Sequence, residues 1–296
     1  MLSIFYIFMS FLFFYGCSNT TLQNTVNPED SMVFPMPPAD PRIQFLTSIS
    51  SSSDVEEFKK IDEFLFGKSL LELERTIDKP FGAFIANNKI YVCDTKLEGL
   101  EIIDLENRKF EEFRPAGRGT LRKPINAAID NSGNLYVADT GREQIVVFSP
   151  ELKYIKSIDS GSLKPIDLAI SGDSLLIADL KDQNVEIWSI SQNKLLSEFP
   201  PDNINLPDSI RVFAPYSVDL DINKNIYITD FGQFRVQKFD RTGNFIRSFG
   251  GVGRSIGKFA RPKGIAIDRK SRLYVVDAAY ENVQIFNENG ELLLIF

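Results

Sequence analysis

Five times between residue 80 and residue 296, a proline opens an apolar run that turns on polar residues into a segment of the form Leu/Ile-Tyr/Leu-Val/Ile-x-Asp. The prolines are Pro80, Pro124, Pro165, Pro215 and Pro262, and the segments end on Asp94, Asp139, Asp179, Asp230 and Asp277. A third apolar run follows each time (LEII, IVVF, VEIW, VQKF, VQIF), then a polar hairpin and a fourth run. Short β-branched and aromatic runs separated by Asn, Asp, Gly and Ser are strand and hairpin signals. A unit of about 40 to 50 residues containing four such strands cannot bury both of its faces alone, so neighbouring units must stack. An all-β closed array follows, with each sheet as one blade.

Within a blade, the second strand carries Tyr or Leu and β-branched residues, which suit a sheet buried on both faces. Cys93, Ala138, Ala178, Thr229 and Val276 are small or of modest size and are expected where blades approach closely. Cys93 therefore reads as a packed core residue, with nothing basic placed to lower its pKa. The five recurrent aspartates fall at the turn after the second strand, where a carboxylate can accept backbone N–H bonds, so their reading is structural.

These residues closely resemble the NHL repeat, whose family forms six-bladed β-propellers, and the resemblance runs over about residues 79–296. It implies a β-propeller of four-stranded blades with ligands bound on the face around the central channel. Five repeats are present where the family has six. Either a last blade has been lost at the C-terminus, leaving an apolar wedge between blades one and five, or five blades close with help from residues 42–49. The first is favoured. Residues 42–49 (RIQFLTSI) alternate like a closing strand supplied from the N-terminus.

Ahead of the repeats, residues 1–15 are almost wholly apolar, too short to span a bilayer as a helix and suited to a signal peptide. The small residue before Cys17 resembles the lipobox of bacterial lipoproteins, which implies lipidation at Cys17, export to the bacterial cell envelope and a membrane attachment through that lipid. An ordinary signal peptide or an uncleaved anchor is the alternative. Residues 18–41, rich in Asn, Thr and Pro, read as a disordered tether, and the propeller domain is expected over 42–296. Residues 53–67 break the β pattern: Ser53 with Glu56 reads as a capping box and Val55, Phe58, Ile61 and Leu65 recur at helical spacing.

Function is expected where strand alternation brings loops together around the channel. The residues after each proline form the inner rim: Phe81, Gly82, Ile125, Asn126, Ile166, Asp167, Tyr216, Ser217, Lys263 and Gly264. Beyond the aspartates lie Arg142, Lys181, Phe231, Gln233, Phe234, Arg235 and Tyr280, and exposed aromatic and arginine side chains are enriched at binding hot spots. The net charge of −7 argues against a nucleic-acid surface. Asp219, Asp221, Asn223, Asn225 and Asp230 have the oxygen spacing of a calcium loop, but Lys224 stands where its sharp turn wants glycine, and no metal or other cofactor is assigned. The propeller hydrolases and lyases related to the family include metal-dependent enzymes that use histidine clusters at the central face, and this chain has no histidine. The expectation is a non-enzymatic module that binds a protein or glycan; the alternative is a propeller hydrolase or lactonase-like enzyme using the channel carboxylates Asp167 and Asp219.

Overall fold

The computed structural model describes residues 32–35, 40, 42–56, 74–159, 161, 163–201 and 205–296. The signal segment, Cys17, most of the tether and residues 57–67 of the expected helix lie outside the described residues. The chain divides into two units, residues 1–46 and 47–296. In the first, β1 (Val33–Phe34) pairs antiparallel with β2 (Ile43–Gln44). This corrects one expectation: the strand within residues 42–49 is paired to Val33–Phe34, and every blade supplies its own fourth strand.

The second unit consists of five antiparallel four-stranded sheets. Blade one is β3 (Pro80–Ala86), β4 (Lys89–Asp94), β5 (Gly99–Asp104) and β6 (Lys109–Phe113); blade two is β7 (Pro124–Ile129), β8 (Leu135–Asp139), β9 (Gln144–Phe148) and β10 (Tyr154–Ile158). Blade three is β11 (Pro165–Ser171), β12 (Ser174–Asp179), β13 (Asn184–Ser189) and β14 (Lys194–Phe199). Blade four is β15 (Pro215–Leu220), β16 (Ile226–Asp230), β17 (Arg235–Phe239) and β18 (Phe245–Gly250); blade five is β19 (Pro262–Ile267), β20 (Leu273–Asp277), β21 (Asn282–Phe286) and β22 (Leu292–Ile295). The first strands are innermost, β3 packing on β7, β7 on β11, β11 on β15 and β15 on β19.

Proline opens every first strand because it has no N–H to give a ladder and tolerates a strand's first position. The register shifts directly after it in all five blades, between Pro80 and Ala83, Pro124 and Asn126, Pro165 and Asp167, Pro215 and Ser217, and Pro262 and Ile265. A bulge bends its strand and re-aims side chains, so this repeated irregularity presents the two residues after each proline at the channel.

Four apolar clusters lie at the four interfaces between consecutive blades. Cys93 and Leu100 of blade one meet Ala127 and Val137 of blade two; Tyr136 and Ala138 meet Leu168 and Ile177 of blade three. Ala178 and Ile187 meet Val218 and Ile228 of blade four, and Tyr227 and Val236 meet Ile265 and Val275 of blade five. Each fully buried aliphatic or aromatic side chain contributes about 1.5–3 kcal/mol before entropy is counted. A fifth cluster covers part of the other face of blade one: Val92, Ile103 and Phe110 pack with Val55, Ile49 and Ile77 from the segment ahead of the repeats. Among its described residues that segment holds a 3-10 turn, Ser52–Asp54, capped by Asp54, whose carboxylate accepts the N–H of Ser50 and Ser51. The expected pairing of Ser53 with Glu56 does not form; Glu56 accepts the Phe110 N–H and Ser53 bonds Glu74.

Blades five and one do not meet as the others do. Val276 is 41% exposed, whereas Cys93, Ala138, Ala178 and Thr229 at the same position are fully buried, which corrects the expectation that all five sit between blades. On blade one, Phe81 and Ile85 are 45% and 76% exposed, and Ala83 between them is exposed as well. A cleft with apolar walls therefore separates these two blades.

Candidate functional site

The ten rim residues named from the sequence all line one cavity of about 670 Å³, which continues into the cleft along Ala83, Ala266, Tyr274, Val276, Val283 and Phe296. Around the channel the second residue after each proline forms a hydrogen-bonded girdle. Asn126 of blade two donates through Nδ2 to Asp167 Oδ1 of blade three, and Ser217 of blade four donates through Oγ to Asp167 Oδ2. Ser217 Oγ in turn accepts the N–H of Ile265 in blade five at 3.1 Å. Asp167 also takes the N–H of Leu168 at 2.8 Å and of Val218 at 2.9 Å, so both its oxygens are doubly used. Gly82 and Gly264 hold the same position on the two blades that flank the cleft, and the girdle ends there. A Cβ at Gly82 would strike Ile125 O at 2.5 Å, while one at Gly264 would meet open space.

At the mouth, four aromatic rings form a row. Phe81 stacks on Tyr216 at 6.2 Å between centroids, Tyr216 lies 6.2 Å from Phe231, and Phe231 lies 6.3 Å from Phe234. The Lys263 ammonium sits 5.3 Å from the Tyr216 centroid and 5.9 Å from that of Phe81, within cation–π range of both. Among the described residues no carboxylate pairs with it.

The arrangement of five sheets around a channel decides the fold. The chain is a β-propeller. A streptogramin B lyase structure superposes with a TM-score of 0.58 at 14% identity, over 73% of this chain and 68% of that one. Virginiamycin B lyase from Staphylococcus aureus with quinupristin superposes at 0.57 and 14%, over 74% and 69%, and a nidogen/laminin complex at 0.59 and 16%, over 75% and 83%. No family model matches the propeller chain, and no curated protein matches its sequence.

The remaining candidates divide between loop and scaffold. Arg142 donates to Arg118 O, Thr120 O and Gln144, which fixes it as a clamp between loops. Arg235, expected on an exposed loop, is a correction: it is buried in β17 and donates to the carbonyls of Asp208, Ser209 and Arg211. Tyr280 donates to Gly253 O at 2.7 Å, and Lys181 and Gln233 lie in turns where their backbone N–H groups bond Asp179 and Asp230 O.

The five recurrent aspartates are wholly buried and tie the segment entering each first strand to the turn after the second. Asp94 accepts the amides of Asp78, Lys79, Lys96 and Leu97; Asp139 those of Arg122, Lys123, Gly141 and Arg142; Asp277 those of Ala260, Arg261, Ala279 and Tyr280. Asp179 accepts from Lys164 and Lys181, and Asp230 from Phe213 and Ala214. Burial pushes the Asp94 carboxyl up, but its four amides outweigh that and leave it lowered. Burial prevails at Asp179 and Asp230, which are raised.

Asp221, the centre of the calcium-like spacing, is spent on its own turn. It accepts the N–H of Asn223 and Asn225 and the side chains of Asn225 and Tyr227. Asp130 and Asp268 build the same turn in blades two and five. Lys224 occupies the left-handed position at φ 63°, where blade two has Gly133. Asp219 accepts the N–H of Leu220 and, across the blade interface, of Ile267 at 2.7 Å. Burial raises both Asp167 and Asp219 to about 6.

One residue escaped the sequence reading. Glu101 is fully buried in β5, and neither of its oxygens has a hydrogen-bond partner. Burial, then the nearby Asp94 charge, raises it to about 8. Gln237 and Gln284 hold the equivalent position in blades four and five and donate to Arg211 O and Lys258 O. The available signal was an acid inside an apolar third strand, which recurs in blade three as the buried Glu186, where it accepts the Trp188 indole N–H. Cys93 is fully buried and burial pushes its thiol up, away from reactivity.

Proposed function

We propose that this propeller is the recognition module of an exported bacterial envelope protein of the NHL-repeat type, held at the membrane by a lipid on Cys17 and binding a protein or glycan at its channel mouth. The observation that carries this reading is the row Phe81, Tyr216, Phe231 and Phe234 with the Lys263 ammonium against two of its rings. Aromatic faces and a cation with no carboxylate partner among the described residues are what binding hot spots and sugar-stacking platforms are made of. The fold alone does not choose, since its structural neighbours include lyases and a nidogen/laminin complex.

A non-enzymatic reading gains support from how the carboxylates are used. Asp167, offered from the sequence as half of a catalytic pair, accepts four hydrogen bonds, and Asp219 has a backbone amide on each oxygen. Asp167, with both oxygens doubly used, is poorly placed to take a proton from water or substrate. The test is photo-crosslinking in intact envelopes from a probe placed at Gln233, beside the ring row. Capture of one protein or glycan that is lost in Tyr216→Ala and Phe231→Ala supports the proposal. Capture unchanged by both variants, or turnover of lactones or esters abolished by Asp167→Asn, would sink it.

A further inference from the structure

We propose that the cleft between blades five and one binds a long apolar molecule carrying one anionic head group, of the long-chain carboxylate class. This deepens the recognition reading, because cleft and channel mouth are parts of one cavity and share Lys263.

The argument begins with what the walls would bury if another blade stood there. At the four other interfaces, the residue before the recurrent aspartate is fully buried, and three residues after the proline Ala127, Leu168, Val218 and Ile265 are 3%, 4%, 3% and 9% exposed. In the cleft the corresponding Val276 and Ala83 are exposed, together with Ile85. The uncovered surface is aliphatic and continuous with the cavity, whose volume falls in the range of small-molecule sites. Apolar walls favour hydrocarbon and supply no partner for a polar chain.

Charge then selects the head group. The polar side chains on the channel side are already engaged: Asn126, Asp167 and Ser217 bond one another. Tyr274 OH is directed to Asp268 at 3.3 Å. The cation at the mouth is Lys263, held by two ring faces and paired with no carboxylate among the described residues. A hydrocarbon chain lying along Ala83, Val276 and Val283 with its carboxylate at Lys263 Nζ satisfies both ends of the cavity, whereas a cationic head would be repelled and a neutral one would gain less from the ammonium.

The experiment is calorimetric titration of the propeller with dodecanoate, 1-dodecanol and dodecyltrimethylammonium, each kept below its aggregation limit. Saturable one-to-one binding of dodecanoate is expected, about tenfold tighter than dodecanol, with the trimethylammonium compound weaker still. Lys263→Met should bring dodecanoate down to the level of dodecanol, and Val276→Trp should remove both while circular dichroism and the thermal midpoint stay as in the parent. No saturable dodecanoate binding, equal binding of the three compounds, or binding unaltered by both variants would overturn the inference. The two readings separate cleanly: dodecanoate binding in a protein that captures no envelope partner defeats only the recognition reading. A captured partner with no dodecanoate binding defeats only this one.

Discussion

The interface between blades three and four and the cleft between blades five and one are built from the same sequence positions, yet one is sealed and the other open. In the first, Ala178 is fully buried and the cross-blade girdle through Asp167 and Ser217 closes the channel side. In the second, Val276 is exposed and the girdle positions are Gly82 and Gly264. The difference teaches that the repeated strand pattern specifies a blade but not its neighbour.

The largest test of that contrast places one bulky residue at both sites. Ala178→Trp should cost about 3 kcal/mol or more, through overpacking a site with no free volume, while Val276→Trp should change stability by less than about 1 kcal/mol. Urea unfolding midpoints measure both, and equal losses would show that the cleft is closed in solution. Removing the girdle comes next. Asp167→Ala strips the acceptor from two side chains and two amides and should cost about 2–3 kcal/mol, whereas Lys263→Ala across the cleft should stay within about 0.5 kcal/mol.

Glu101 sharpens the comparison by pH. Its folded pKa, about 8, lies above the 4.5 of a free glutamate, so the native state holds a proton that the unfolded chain releases. Stability from this group is therefore present below about pH 4.5 and falls as pH rises toward 8. Glu101→Gln, which installs the residue of blades four and five, should raise the thermal midpoint at pH 9, equivalent to about 1–2 kcal/mol, and leave it nearly unchanged at pH 4. A midpoint that moves equally at both pH values would contradict the assignment. The smallest effect is expected from exchanging the pair Thr229 and Val276. Thr229→Val loses the hydroxyl bond to Lys263 O and should cost about 1 kcal/mol, while Val276→Thr should be close to neutral.

Legibility in the sequence followed the repeat. The strands, the buried aspartates and the rim recur five times, and each recurrence filters out accident, so the blades and all ten cavity-lining rim residues could be located from spacing alone. Features that occur once were harder. Arg235 follows its aspartate by five residues, where a loop was expected, but the turn is tight enough that β17 already begins at Arg235. The alternation in residues 42–49 is true of a strand, but alternation does not name a partner, and the partner of Ile43–Gln44 is Val33–Phe34. Glu101 went unseen because a third-strand Glu reads like the Gln of its sister blades until burial and missing partners are counted.

The girdle has an implication for how such a chain can change over generations. Its members stand 41 and 50 residues apart along the polypeptide, yet each gives another a side-chain partner away from water. A mutation at Asn126, Asp167 or Ser217 taken singly strands a neighbour on a different blade. Drift at the pore wall must therefore proceed in concerted sets spread across distant segments.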